Sequence, residues 1–200
     1  MFIQVITGNV TDPEGFRRQT DKWVTDVRPG AVGFLGSTGG TTDDGRFIVL
    51  ARFESAEAAA KNNERPQQSG WWAETEKTLE GAVFKDSTDI VTLLGGGKDD
   101  AGFVQVMRGR ITDTEGYAKF RNEVVKIEDV LGAARPDVVG EVIAIHEDGT
   151  YTDVVYFSSE AEARANEAKP LTGEAQAMFD ETMSSVEVDE FFDLKEPRIF

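Results

Sequence analysis

Residues 2–15 read FIQVITGNVTDPEG, and residues 103–116 read FVQVMRGRITDTEG. Eight of these fourteen positions are identical: Phe2/Phe103, Gln4/Gln105, Val5/Val106, Gly8/Gly109, Thr11/Thr112, Asp12/Asp113, Glu14/Glu115 and Gly15/Gly116. A second pair follows, FESAEAAAKNNERP at 53–66 and FSSEAEARANEAKP at 157–170. The offset drifts from 101 to 104, so a few residues separate the matched elements differently in the two copies. A period this long, seen only twice, means a duplicated domain rather than a solenoid. The repeat divides the chain into modules 1–97 and 98–200.

Each half shows the same order of elements. Residues 2–9 alternate and are rich in Ile and Val, the pattern of a strand. Thr11-Asp-Pro-Glu14 and Thr112-Asp-Thr-Glu115 fit a capping box, with Thr as the acceptor. Apolar residues then recur at helical spacing: Phe16, Trp23, Val24 and Val27 in one half, and Tyr117, Phe120, Val124, Ile127 and Leu131 in the other. Two strands follow in each half, turning at Asp44-Gly45 and Asp148-Gly149, a strong hairpin signal. Ser55 and Ser159 open a second helix, which is interrupted at Pro66 and Pro170. A last strand is expected near 82–93 and 186–194.

The order β-α-β-β-α-β, twice, is the split-βαβ or ferredoxin-like module. Its four-stranded antiparallel sheet carries helices on one face and leaves the other apolar. The expected fold is therefore α+β: two tandem ferredoxin-like modules, packed sheet to sheet as a pseudo-dimeric α/β barrel. The nine residues 94–102 would span at most about 30 Å between them.

Composition bounds the chemistry. Lys and Arg total 21 against 37 Asp and Glu, for a net charge of −16. No basic stripe is present to meet a phosphate backbone, so neither nucleic acid nor an anionic membrane surface is an expected partner. The absence of cysteine removes disulfides, thiolate metal sites and a Cys nucleophile together. No apolar run approaches the roughly 18 residues of a membrane span. The N-terminal residues lack the pattern of a signal peptide, so a cytoplasmic location is the default expectation.

These features resemble the dimeric α/β-barrel superfamily, and within it the antibiotic-biosynthesis-monooxygenase-like (ABM-like) proteins. The phrases FIQVITGN, ARFESAEAAA and VVYFSSEAEAR carry the likeness. It implies a pseudo-dimer within one chain, with a further homodimer as an option. Family members include cofactor-independent monooxygenases of aromatic polyketides, which use Asn, Trp and Tyr side chains without metal or flavin. They also include haem-degrading enzymes with an Asn late in the first strand, a position matched here by Asn9 and, in the second half, by Arg110. Those enzymes add a helical Trp, whose place is taken here by about Asn62, and a His, of which residues 1–100 contain none. The resemblance thus implies no cofactor, and either a small apolar or aromatic ligand turned over by cofactor-free oxygenation or a binding module without turnover.

The stretch NNERPQQSGWW (62–72) is the most unusual of the chain. Asn62, Asn63, Trp71 and Trp72 could wall an apolar helix–sheet cleft with amides fixing a ligand; equally, the indoles could seal the core or an oligomer contact. Alternation puts Ile3, Val5, Thr7 and Asn9 on one strand face, and Val104, Val106, Arg108 and Arg110 on its counterpart. Arg108 and Arg110 could hold an anionic group, or pair with nearby carboxylates. Gln4 and Gln105 are expected to point between the sheets and to hydrogen-bond there. His146, the lone histidine, is placed at an exposed hairpin tip, where catalysis is improbable. The glycines at 30, 33, 36, 39 and 40 lack a phosphate loop's Lys-Ser/Thr ending. Asp12/Glu14 and Asp113/Glu115 read as helix-start residues rather than an acid–base pair.

Overall fold

A computed structural model describes residues 1–200. The chain forms two compact units, Met1–Thr88 together with Phe200, and Asp89–Ile199.

In the first unit, β1 (Phe2–Val10) leads into α1 (Pro13–Lys22). The hairpin β2 (Phe34–Thr41) and β3 (Arg46–Phe53) follows, then α2 (Ala56–Asn63), α3 (Pro66–Thr75) and β4 (Leu79–Ser87). The second unit contains β5 (Asp89–Leu93), β6 (Phe103–Ile111), α4 (Thr114–Asn122), α5 (Val124–Ala134), β7 (Val138–Ile145) and β8 (Thr150–Phe157). It continues with α6 (Glu160–Glu167), α7 (Gly173–Ser184), β9 (Val186–Leu194) and β10 (Arg198–Ile199). Both sheets are antiparallel, in the orders β10-β2-β3-β1-β4 and β5-β7-β8-β6-β9. Four strands of each stand in the ferredoxin-like order, so the fold is a tandem ferredoxin-like α+β fold.

The expectation of four strands per sheet is corrected to five. The strand expected at 82–93 is two strands, broken at Thr88. β4 pairs with β1, whereas β5 pairs with β7, with Val91 opposite Ile143. The short β10 was not anticipated at all. It lies beside β2, and Phe200 exchanges two backbone hydrogen bonds of 2.9 Å with Ser37. Each sheet thus takes its fifth strand from the end of the other repeat.

The duplicated phrase is explained position by position. Asp12 Oδ1 accepts from the Gly15 N–H at 2.9 Å, and Asp113 Oδ1 accepts from Glu115 and Gly116 at 3.0 and 3.1 Å. Asp, not the expected Thr, is therefore the N-cap, since it is the residue immediately before the first helical one in both repeats. Gly8 and Gly109 sit where a neighbouring strand crosses closely. A Cβ on Gly109 would stand 1.8 Å from the Glu187 carbonyl oxygen, and one on Gly8 2.9 Å from that of Glu80. Gln4 donates to Asp86, and Gln105 to Asp193, both at 3.0 Å.

Those glutamines correct the assignment of faces. Gln4 alternates with Phe2, Ile6 and Gly8, whose β3 partner Phe47 packs on Phe16 of α1 with ring centroids 5.4 Å apart. Phe2 and Phe53 pack with Ala59 of α2. The glutamines therefore face the helices. Ile3, Val5, Ile48 and Leu50 line the opposite face and are 2 % exposed or less. The expected inward amide is satisfied, but by a cross-strand carboxylate on the helical side. No helix is long and apolar enough to cross a membrane.

Candidate functional site

The first repeat concentrates its aromatic residues where α1 meets α3. After Lys22 the helix widens into one π-helical turn, Trp23–Val27, and then a tight turn, Arg28–Gly30. Such π-bulges re-aim the side chains that follow, here Trp23. Its indole N–H donates to Gln68 Oε1 of α3 at 3.1 Å, and the Trp71 indole N–H donates back to the Gln19 carbonyl of α1 at 2.7 Å. The two helices are stapled reciprocally. Trp71 stacks obliquely on Trp23 at 6.3 Å and on Trp72 at 6.0 Å, while Trp72 meets Phe84 of β4 edge-on at 5.1 Å. Phe84 remains 46 % exposed, so the series reaches the surface. Trp23 also meets Phe34 at 5.1 Å and Phe200 at 6.1 Å.

The expected amides are not gathered around these rings. Asn62 is buried, and its Oδ1 accepts from Arg65 Nη1 at 2.8 Å; Arg65 Nη2 reaches the Val27 carbonyl at 3.0 Å. Asn62 thereby ties the α2–α3 break to the π-helical turn. Asn63 is exposed. Asn9 is exposed at the end of β1, opposite Arg46 and Glu80, on the face that alternation turns away from the helices.

Arg108 and Arg110 belong to the second unit. Arg108 Nη1 meets Glu190 Oε2 at 2.6 Å, and Arg110 meets Glu187 at 2.8 Å and Asp189 at 3.5 Å. Both guanidinium groups thus have carboxylate partners on β9. His146 is only 5 % exposed, which corrects its expected place at the tip. The turn projects Glu147 and Asp148 instead. His146 closes its base through backbone hydrogen bonds to Thr150 and Gly149, and its Nε2 lies 3.0 Å from Thr152 Oγ1.

Sequence reading missed one polar cluster. Asp153 of β8 and Glu141 of β7 stand diagonally on the helix-facing side of the second sheet, because Asp153 pairs with Ile143 and Glu141 with Val155. Their carboxyls hydrogen-bond to each other. Burial pushes Glu141 up to about 7, and burial together with the neighbouring Glu141 charge drives Asp153 well above the usual carboxylate range. Tyr117 of α4 packs on Ile143, its hydroxyl raised chiefly by burial. Tyr151, on the same strand face as Asp153, is raised to about 12 for the same reason. A signal was present in the sequence: TYTDVVYF sets a lone Asp among strand residues otherwise suited to a core. No group of three or more His, Asp or Glu side chains is arranged to hold a metal ion.

No protein-family model matches the chain, and no curated protein matches it. Solved structures do match over its whole length. A "putative monooxygenase" from Lactobacillus acidophilus NCFM is similar with a TM-score of 0.73 and 13 % identity, over 100 % of this chain and 98 % of that one. A "putative monooxygenase" from Fusobacterium nucleatum gives 0.77 and 10 %, over 99 % and 93 %. An "anthrone oxidase-like protein" gives 0.62 and 13 %, over 99 % and 92 %. The two repeats, their strand orders and these full-length likenesses together show a tandem ferredoxin-like fold shared with chains described as putative monooxygenases.

Proposed function

We propose that the chain is a monooxygenase-like protein that takes a small, largely apolar, aromatic ligand against the aromatic layer of its first repeat. The supporting observation is the run Trp23–Trp71–Trp72–Phe84, which leads from the α1–α3 junction to a surface ring. The ABM-type tandem fold agrees with it. Flat π surfaces prefer offset or edge contacts, and Trp72 and Phe84 offer such a contact to an incoming ring. Oxygenation there would draw on dioxygen and the ligand's own electrons.

A binding module without turnover is the second reading. It is favoured by the internal commitment of the polar groups: the Trp23 and Trp71 N–H groups and the Asn62 amide are already hydrogen-bonded within the protein. The experiment is a fluorescence titration with hydroxylated aromatics and quinones, followed by oxygen-electrode measurements with any compound that quenches. Quenching that is lost in Trp72→Ala supports the site, and oxygen uptake then favours the enzyme. No response from the unmodified chain to any such compound rejects both readings.

A further inference from the structure

The internal repeat allows the outer strands of the two sheets to be compared residue by residue. β4 ends the first sheet and β9 ends the second, paired with β1 and β6 respectively. Ile6 pairs with Phe84 and Thr7 with Val83; at the same places of the second repeat, Met107 pairs with Phe191 and Arg108 with Glu190. Ala82, Val83, Phe84, Lys85 and Asp86 thus correspond to Asp189, Glu190, Phe191, Phe192 and Asp193. Both strands show a surface ring, Phe84 at 46 % and Phe191 at 47 % exposed.

They differ in what guards that ring. An outer strand offers a row of backbone N–H and C=O groups to any other strand, and charges along it are the usual protection. β9 reads VEVDEFFDL, with four acidic residues and no basic one. β4 reads LEGAVFKDS, and Ala82 and Val83 stand where β9 has Asp189 and Glu190. Both are exposed, Val83 at 51 %. The irregularity of β4 lies opposite Thr7–Asn9, so Val83–Ser87 keep an unbroken register with β1 and present a straight edge.

We propose that β4 is an interface for a second copy of this chain, paired antiparallel with the β4 of that copy about a two-fold axis at Phe84. Such an axis sets Phe84 opposite its own copy, Val83 opposite Lys85 and Ala82 opposite Asp86. Like charges directly opposite each other are destabilising. Centring on Lys85 sets two lysines face to face, and centring on Val83 brings Glu80 towards Asp86. β9 on β9 about Phe191 sets Asp189 against Asp193 twice, and β4 on β9 through their rings sets Asp86 against Asp189. Self-pairing of β4 at Phe84 avoids every one of these oppositions. It covers Val83 with the methylenes of the second copy's Lys85. It also makes the two Phe84 rings a cross-strand pair, which continues the edge contact of Trp72 on Phe84. The second copy thereby adds a wall to the surface ring site proposed above, although the pairing itself needs no ligand. Each chain carries a net charge of −16, so the copies repel at a distance and meet more readily when salt screens them.

The test is sedimentation equilibrium of the full chain with no aromatic compound present, so its outcome is separate from that of the ligand titration above. A dimer is expected, with a dissociation constant between about 1 and 100 µM. It should be tighter at about 0.5 M salt than at about 0.05 M. Ala82→Asp copies the second repeat and faces Asp86 twice across the axis, so it should weaken association at least about fivefold. Ala82→Lys, facing the same carboxylates, should tighten it about threefold. Residue 82 is exposed, so neither change burdens the fold. Amide exchange should slow within residues 82–86 as the dimer forms. The proposal is overturned if the chain stays monomeric at about 0.5 mM, whatever other strand the edge accepts. It is equally overturned if both Ala82 variants leave the dissociation constant unchanged, or if the slowed amides lie outside β4.

Discussion

The indole N–H of Trp71 donates to the backbone carbonyl of Gln19 at 2.7 Å, in the last turn before α1 widens into its π-helical turn. That carbonyl already accepts from the Trp23 N–H, so it serves two donors. A smaller aromatic ring without the N–H should keep part of the packing but lose the staple. Trp71→Phe is expected to destabilise the first unit by about 1 kcal/mol. Urea unfolding followed by fluorescence of Trp23 and Trp72 measures the change.

Stability should depend on pH through the second unit. Glu141 is raised from 4.5 to about 7, and Asp153 is raised as well. Between the ordinary and raised values the folded chain holds more protons than the unfolded chain, so stability is fully present below about 4.5 and falls as pH climbs through 7. Asp153→Val with Glu141→Ser should flatten this slope in denaturant midpoints taken across the window. An unchanged slope would mean that the pair does not titrate in the folded protein.

Capping separates Asp from its neighbouring Thr in both repeats. Asp12→Ala and Asp113→Ala should each cost about 1 kcal/mol, because each leaves helix-start N–H groups without an acceptor. Thr11→Ala and Thr112→Ala should stay within about 0.5 kcal/mol. Thermal unfolding of the four variants distinguishes the two residue types.

The paired arginines should differ by burial. Arg108 has a side chain 15 % exposed beside Glu190, whereas that of Arg110 is 55 % exposed. Glu190→Ala leaves a buried guanidinium short of its partner and should cost about 2 kcal/mol, against less than about 0.5 for Glu187→Ala. A double-mutant cycle with Arg108→Met isolates the coupling.

Gly109→Ala should destabilise the second unit by more than about 2 kcal/mol, since a methyl group meets the Glu187 carbonyl and the backbone must move. Gly70, with open space around it, tolerates the same change. Comparing the two midpoints checks the steric account.

Much of the fold was legible because repetition acts as an internal alignment. Gln4/Gln105, Gly8/Gly109 and Asp12/Asp113 recur, and each pair has the same structural task twice. Alternation located the strands but could not say which face meets the helices, because both faces of β1 are apolar enough to be buried. The glutamines were therefore turned the wrong way. β5 and β10 were illegible for another reason. Edge pairing is chosen by backbone hydrogen bonds, which leave little mark on side-chain pattern. Asn62 and Trp71 stood out by composition, yet their partners, Arg65 and the Gln19 carbonyl, lie where a periodicity argument does not look. The Asp153 cluster lies where the repeats differ, Val49 against Asp153 and Ser37 against Glu141, so the internal alignment that marked the fold carries no trace of it.

The exchange of edge strands bears on where the chain can be divided. β5 is written at the end of the first repeat and hydrogen-bonded in the second sheet, while Phe200, at the far end of the second repeat, is bonded to Ser37 in the first. Neither repeat, made as its own polypeptide, would complete five strands from its own residues. Cutting the chain between Leu94 and Gly102 would therefore strip each sheet of its outermost strand and leave β2 and β7 as edges.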